Sequence, residues 1–181
     1  MSATHSLILI TGLPGTGKTR LARDIARHFG LPVLAKDAIK APLFEVLGTG
    51  DREHSRRLSD ASFAVLFAMA RELLRAGTSL ILEGNFRPGE HEPHLGDALH
   101  FAGHIVQVAC RVDESVRAAR LQARAGDPSR HAGHAVGQYS PGASGFLDIP
   151  GPRIEFDSSE TPPRYAPLLA RLEHELSDAI R

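Results

Sequence analysis

The segment Gly12-Leu13-Pro14-Gly15-Thr16-Gly17-Lys18-Thr19 constrains this chain more than any other. It matches the phosphate-binding loop pattern G-x-x-x-x-G-K-[ST] at every fixed position. Such a loop has meaning only between a buried strand and a helix. Leu7-Ile8-Leu9-Ile10, just before it, reads as a short strand buried on both faces. Beyond it, Leu21, Ala22, Ile25, Ala26 and Phe29 recur at helical spacing. The glycines let successive N–H groups turn inward onto phosphate oxygens, and the helix N-terminus adds partial positive charge. Lys18 is placed to reach the β- and γ-phosphates, and the Thr19 hydroxyl to ligate Mg²⁺. Arg20, the next residue, is grouped with the loop as a nucleotide contact. The expectation is a nucleoside triphosphate site taking ATP and Mg²⁺, and the open matter is where the phosphate goes.

The length of 181 residues suits one α/β domain, so 1–181 is read as a single unit. Equal numbers of basic and acidic residues, 21 each, leave a formal net charge of +0. That balance argues against an extended nucleic-acid surface, and an aromatic content of 6% argues against extensive base stacking. One cysteine, Cys110, excludes an internal disulfide and suits the reducing cytoplasm. No stretch reaches the roughly 20 apolar residues of a membrane span, and the first residues lack the charged start of a secretory signal.

Along the chain, Pro32–Ala35 reads as a second strand, with Asp37 set to cap a helix through Ile39, Leu43, Phe44 and Leu47. A long helix is expected from about Glu53 to Arg75. Leu80-Ile81-Leu82 is a third strand closing at Glu83, and a helix is expected around Glu90 to Phe101. Ile105–Cys110 is a fourth strand, and Asp113 caps a helix to about Ala125. The segment from about 126 to 152, rich in Gly, Pro, His and Ser, reads as a mobile lid. Arg153–Asp157 is a fifth strand, followed by a terminal helix. Strands alternating with helices imply a parallel sheet, and ligands of such sheets bind outside the carboxyl ends of the strands. The loop, Lys36-Asp37, Glu83 and its following residues, and the segment after Cys110 all fall at that end.

Transfer of a phosphoryl group to an alcohol needs a carboxylate that takes the hydroxyl proton. Asp37 fits that role, alongside plain helix capping. Lys36 is either a substrate contact or a solvated lysine. Glu83 is a candidate for Mg²⁺ or for substrate hydroxyls. Asn85 and Arg87, on the loop after it, are candidate substrate contacts. Arg117, Arg120 and Arg124 share one helix face, and Arg130 follows; Arg120, Arg124 and Arg130 are the candidates for stabilising charge on the transferring group. The histidine pairs His91/His94 and His131/His134 lack the further converging ligands a zinc site requires. Leu43, Phe44, Leu47, Phe63, Phe67 and Phe86 serve equally as acceptor pocket or as core.

With these residues in place, the chain resembles the small P-loop kinases of the AAA-type ATPase domain group, which is similar to chloramphenicol phosphotransferase, zeta toxins and polynucleotide kinase domains. The matching pieces are Gly12–Thr19, Asp37 at a strand end, Leu82-Glu83-Gly84-Asn85-Phe86, and the arginine-rich stretch ending Arg130-His131-Ala132-Gly133-His134. The resemblance implies a three-layer P-loop NTPase fold with a five-stranded parallel sheet ordered 2-3-1-4-5. It also implies Asp37 as catalytic base and Asp157-Ser158-Ser159 near the adenine. One departure stands out: no apolar run ends in the aspartate that commonly holds the metal, and Glu83 is the nearest substitute. The leading expectation is an ATP-dependent kinase of a small-molecule hydroxyl, such as an antibiotic, sugar or nucleoside-like compound. The rivals are a kinase of nucleic-acid 5′-hydroxyl ends, a toxin acting on a sugar nucleotide, and a nucleotide switch with a protein partner.

Overall fold

Strand β1 (Ser6–Thr11) is buried along its whole length. Leu7 and Leu9 face one layer and Ile8 and Ile10 the other, as the two-residue period of a strand requires. A computed structural model of the chain describes residues 5–125 and 144–177. Within them β1 leads through the phosphate loop to α1 (Lys18–Phe29), then β2 (Val33–Ala35), α2 (Lys36–Leu47) and α3 (Arg52–Arg75). β3 (Leu80–Glu83), α4 (Glu92–Leu99), β4 (His104–Arg111), α5 (Glu114–Ala125), β5 (Arg153–Asp157) and α6 (Ala166–Glu175) follow.

The five strands form one parallel sheet in the order β2-β3-β1-β4-β5, as the resemblance implies. Parallel neighbours need crossovers, and the helices that supply them cover both faces. On one face Leu7, Leu9, Leu80 and Leu82 meet Phe63, Leu66 and Ala70 of α3 and Leu95 of α4. On the other, Ile8, Ile10, Ile81 and Val108 meet Leu21 and Ile25 of α1 and Leu168 and Leu172 of α6. The register aligns the carboxyl ends: Ala35 lies beside Glu83, and Glu83 beside Ile10. This row places the start of α2, the end of β3 and the start of the phosphate loop together.

Two expectations change. Asp37 is not the cap of α2: Ala35 holds that position, in extended backbone with no side-chain capping bond, and Asp37 sits in the first turn. Its charge still favours the helix N-terminus. Asp51 is the residue that caps, accepting a hydrogen bond from the His54 N–H at 2.8 Å at the start of α3. The segment expected to be a lid also divides. Residues 126–143, with Arg130, His131 and His134, lie outside the described residues. Residues 144–152 are packed: Leu147 and Ile149 join the α3–α4 side of the core. The Gln107 side-chain amide exchanges two hydrogen bonds with the Leu147 backbone, at 2.8 and 3.1 Å. Polar composition hid two apolar anchors separated by a single residue.

Candidate active site

The phosphate loop is a tight turn closed by Thr16, whose N–H and hydroxyl both donate to the Leu13 carbonyl, at 3.3 and 2.8 Å. Gly17 caps α1 at φ 84°, in the left-handed region that a side chain strains. Gly12 is needed for space: a Cβ there would lie 2.6 Å from the Cys110 carbonyl oxygen. Lys18 and Thr19 open α1, so their side chains share the edge on which β3 ends. Thr19 Oγ1 donates to Glu83 Oε2 at 3.1 Å, and Lys18 Nζ lies 3.8 Å from Glu83 Oε1. Glu83 is almost fully buried. Burial pushes its carboxyl above the usual carboxylate range, while Lys18 and the Thr19 hydroxyl act to hold it down. A hydroxyl and a carboxylate side by side make a donor set of hard oxygens, the kind Mg²⁺ takes together with phosphate oxygens and water. Among the described residues no group of three His, Cys, Asp or Glu side chains converges as a metal cage. Arg20 is exposed, with Asp24 as its ion-pair partner at 3.9 Å.

Beside this edge lies α2. Its buried face is Lys36, Lys40 and Phe44, one residue per turn. Lys36 is not solvated as a surface lysine would be: it is buried and donates to Asp37 Oδ1 at 3.0 Å. Both charges are close enough to act on Glu83, Asp37 raising it and Lys36 lowering it. Lys40, which the sequence reading passed over, donates to the Ser55 and Ser59 hydroxyls of α3 at 2.9 and 2.7 Å. Burial, and then the nearby Lys36 charge, lower its ammonium to about 8. The signal was available in Ser55 and Ser59, which are one helical turn apart and face the residue three beyond Asp37.

After β3, Asn85 is half-buried on the loop. Arg87, expected to contact substrate, is held by the protein: its Nη2 meets Asp60 Oδ1 at 3.1 Å and Glu90 Oε1 at 2.6 Å. The four phenylalanines Phe44, Phe63, Phe67 and Phe86 are core residues, whereas Leu47 is exposed. His91 is buried against the Phe63 ring, with centroids 4.0 Å apart, and its Nδ1 accepts from the Arg87 N–H at 3.1 Å. The imidazole is therefore a structural acceptor. Burial, and then the Arg87 charge, lower its pKa to about 4. The folded state thus disfavours the protonated ring, while the unfolded chain takes up the proton near pH 6.5. The His91 contribution to stability is complete above about pH 6.5 and is lost as pH falls toward about 4. Thermal melts across that window should show the parent protein losing stability faster than a His91→Gln variant, which keeps an acceptor but has no proton to gain; parallel curves would remove His91 as the titrating group.

The α5 arginines divide by contact. Arg117 pairs with Glu114 at 2.6 Å and also reaches the Pro14 carbonyl at 3.5 Å. Arg120 donates to Ser158 Oγ at 3.0 Å and to the Ser158 carbonyl at 2.7 Å, and lies 3.5 Å from the Gly15 carbonyl. Arg124 is exposed near the end of α5. Arg117 and Arg120 thus reach the back of the phosphate loop, and Ser158, just past β5, is drawn into the same contact. That side-chain role of Ser158 was invisible in sequence, because 142 residues separate it from the carbonyl it binds, that of Thr16.

A loop of this pattern that follows the central strand of a 2-3-1-4-5 parallel sheet, with Glu83 ending the neighbouring β3 and Asp37 just past β2 beyond it, defines a small P-loop kinase. The chain belongs to the AAA domain family, whose profile matches residues 7–139. An uncharacterized protein of Mycobacterium tuberculosis is 34% identical in an alignment of 139 positions that covers 70% of this chain. This chain spans only 27% of the length of that relative. A crystal structure from Chloroflexus aurantiacus, described there as a candidate kinase, superposes with a TM-score of 0.85 at 30% identity and covers 95% of this chain and 98% of its own. The fold is shared as well with the Mycobacterium tuberculosis APS kinase solved in complex with AMPPNP and APS, at 22% identity and a TM-score of 0.59, over 96% of this chain and 98% of that one. No described helix is long and apolar enough to cross a membrane.

Proposed function

We propose that this chain is an ATP-dependent phosphotransferase that moves the γ-phosphoryl group to a hydroxyl of a small-molecule acceptor. The reading is carried by one observation. The sheet register brings Asp37, Glu83 and the phosphate loop to a single edge, with Lys18 and Thr19 touching Glu83. Lys18 and the loop N–H groups hold the β- and γ-phosphates. Thr19 and Glu83 hold Mg²⁺, which supplies neutralisation of phosphate charge when bound. Asp37 orients the acceptor hydroxyl and takes its proton as the oxygen bonds to the γ-phosphorus. The bond from that phosphorus to the bridging oxygen breaks, and ADP carries the electron pair away. Arg124, with Arg130 beyond the described residues, is assigned to charge on the moving phosphoryl, while Arg120 is held behind the loop by Ser158 and the Gly15 carbonyl. Lys36 and Asn85 border the acceptor.

A small-molecule acceptor is favoured over a 5′-hydroxyl nucleic-acid end by the balanced charge and the low aromatic content. The APS kinase sharing this fold was solved with a nucleotide analogue, which supports ATP as the donor. We place the protein in the cytoplasm, since its one cysteine, Cys110, is a buried free thiol. The test is ATP turnover with Mg²⁺ against a panel of hydroxyl compounds (antibiotics, sugars, polyols and nucleosides). One class should raise ADP release well above the rate with water and yield a phosphorylated product. A flat response to the whole panel, with stimulation by a protein partner instead, would replace this reading with that of a nucleotide switch.

A further inference from the structure

Behind the phosphate loop, two buried donors converge on one backbone oxygen. The Ser158 hydroxyl donates to the Thr16 carbonyl at 2.7 Å, and the Cys110 thiol donates to the same atom. Ser158 comes from the turn after β5 and Cys110 from β4, so two strands on one side of β1 reach across to the loop. The Ser158 hydroxyl is in turn held by Arg120 Nη1 at 3.0 Å. The Ser158 side chain is buried, as is that of Cys110. Burial raises the thiol to about 11, so it keeps its proton and remains a donor at neutral pH.

The peptide joining Thr16 to Gly17 is planar and trans, so its N–H points opposite to its C=O. Gly17 is the cap of α1, where backbone N–H groups face the anion. We infer that Ser158 is a positioning residue for nucleotide binding: by anchoring the Thr16 carbonyl behind the loop, it aims the Gly17 N–H forward at the phosphates. The bond does more than fill space. A donor on the carbonyl polarises the peptide and strengthens the N–H at its other end. Arg120 adds to this by fixing the hydroxyl's direction, which leaves the proton of Ser158 free to face Thr16 and not the guanidinium.

This inference rests on the phosphate loop binding a triphosphate and is independent of the acceptor. The expected result is that Ser158→Ala weakens Mg·ATP binding about tenfold, the scale of one misdirected hydrogen bond to a charged group. Binding of adenosine, which has no phosphate for the Gly17 N–H to meet, should fall by a clearly smaller factor, whatever contact residues 157–159 make with the base. Ser158→Thr, which keeps the hydroxyl, should retain most of the ATP affinity. Cys110→Ala, which removes only the thiol donor, should weaken ATP in the same direction by a smaller factor and gives a second variant should Ser158→Ala misfold. In the nucleotide-free protein, the ¹⁵N resonance of the Gly17 amide should move in Ser158→Ala while amides in α3 and α4 stay in place. Equal ATP affinity in parent and both alanine variants overturns the inference, as does an equal loss of ATP and adenosine. A parent protein that binds no ATP overturns the proposed function, and the Gly17 resonance then decides the present inference alone: an unmoved signal refutes it.

Discussion

Asp37→Asn should transfer the phosphoryl group to the acceptor about 10²- to 10⁴-fold more slowly than the parent, the span that a positioned base commonly contributes. ATP affinity should stay within about twofold, because Asp37 is the partner of Lys36 on α2 and acts on the acceptor hydroxyl. The substitution also removes a negative charge from the first turn of α2, which costs about 0.3–1 kcal/mol of stability. That loss is too small to unfold the domain, so a large rate effect cannot be ascribed to damage of the fold. The measurement is product formation with the acceptor that stimulates turnover, alongside ATP titration and a urea melt. Undiminished transfer would remove Asp37 as the base. A parallel loss of ATP binding would make it part of the nucleotide site.

Lys18→Met should lower turnover by about 10²- to 10³-fold, as expected when one preorganised charge is removed from a transferring group. It should also weaken ATP, and its effect spreads to Glu83. That carboxylate is buried, and Lys18 is the first of the groups that hold its proton affinity down. Without the ammonium, Glu83 is driven further toward its protonated form and so becomes a poorer partner for Mg²⁺. The folded state then contains a buried carboxyl that has lost its counter-charge. The variant should be less stable by about 1–3 kcal/mol. Adding Glu83→Gln should recover part of that stability without recovering turnover. This split, read from urea melts and from ADP release, separates the electrostatic role of Lys18 from a packing role. Lys18→Met that keeps full turnover would deny the loop its part in catalysis.

The elements legible in sequence were those written in local chemistry. The phosphate loop is a contiguous pattern whose glycines and lysine act on a ligand within a few ångströms of their own backbone. The strands are apolar runs, and their alternation with helices is enough for a parallel sheet. The carboxyl-end rule then collected Asp37 and Glu83 without any coordinates. What stayed hidden depended on partners far along the chain. Lys36 and Lys40 look like surface lysines until α2 is laid against α3, where Ser55 and Ser59 meet the second of them. Arg87 looks like a loop cation until Asp60 and Glu90 take its guanidinium. Leu147 and Ile149 vanish in a polar stretch until Gln107 pins the Leu147 backbone.

The sequence by itself determined that this protein has a phosphate loop between a buried strand and a helix, because eight contiguous residues carry that geometry in their own φ, ψ and side-chain types. It also determined which acidic residues lie at strand ends. The tertiary structure alone decided how the loop is held. The crossovers set β4 beside β1 and β5 beside β4, and only that arrangement sets Cys110, Ser158 and Arg120 behind the Thr16 carbonyl. Hydrogen bonds between residues 94 and 142 positions apart leave no local trace, since each depends on a chain path and not on a neighbour.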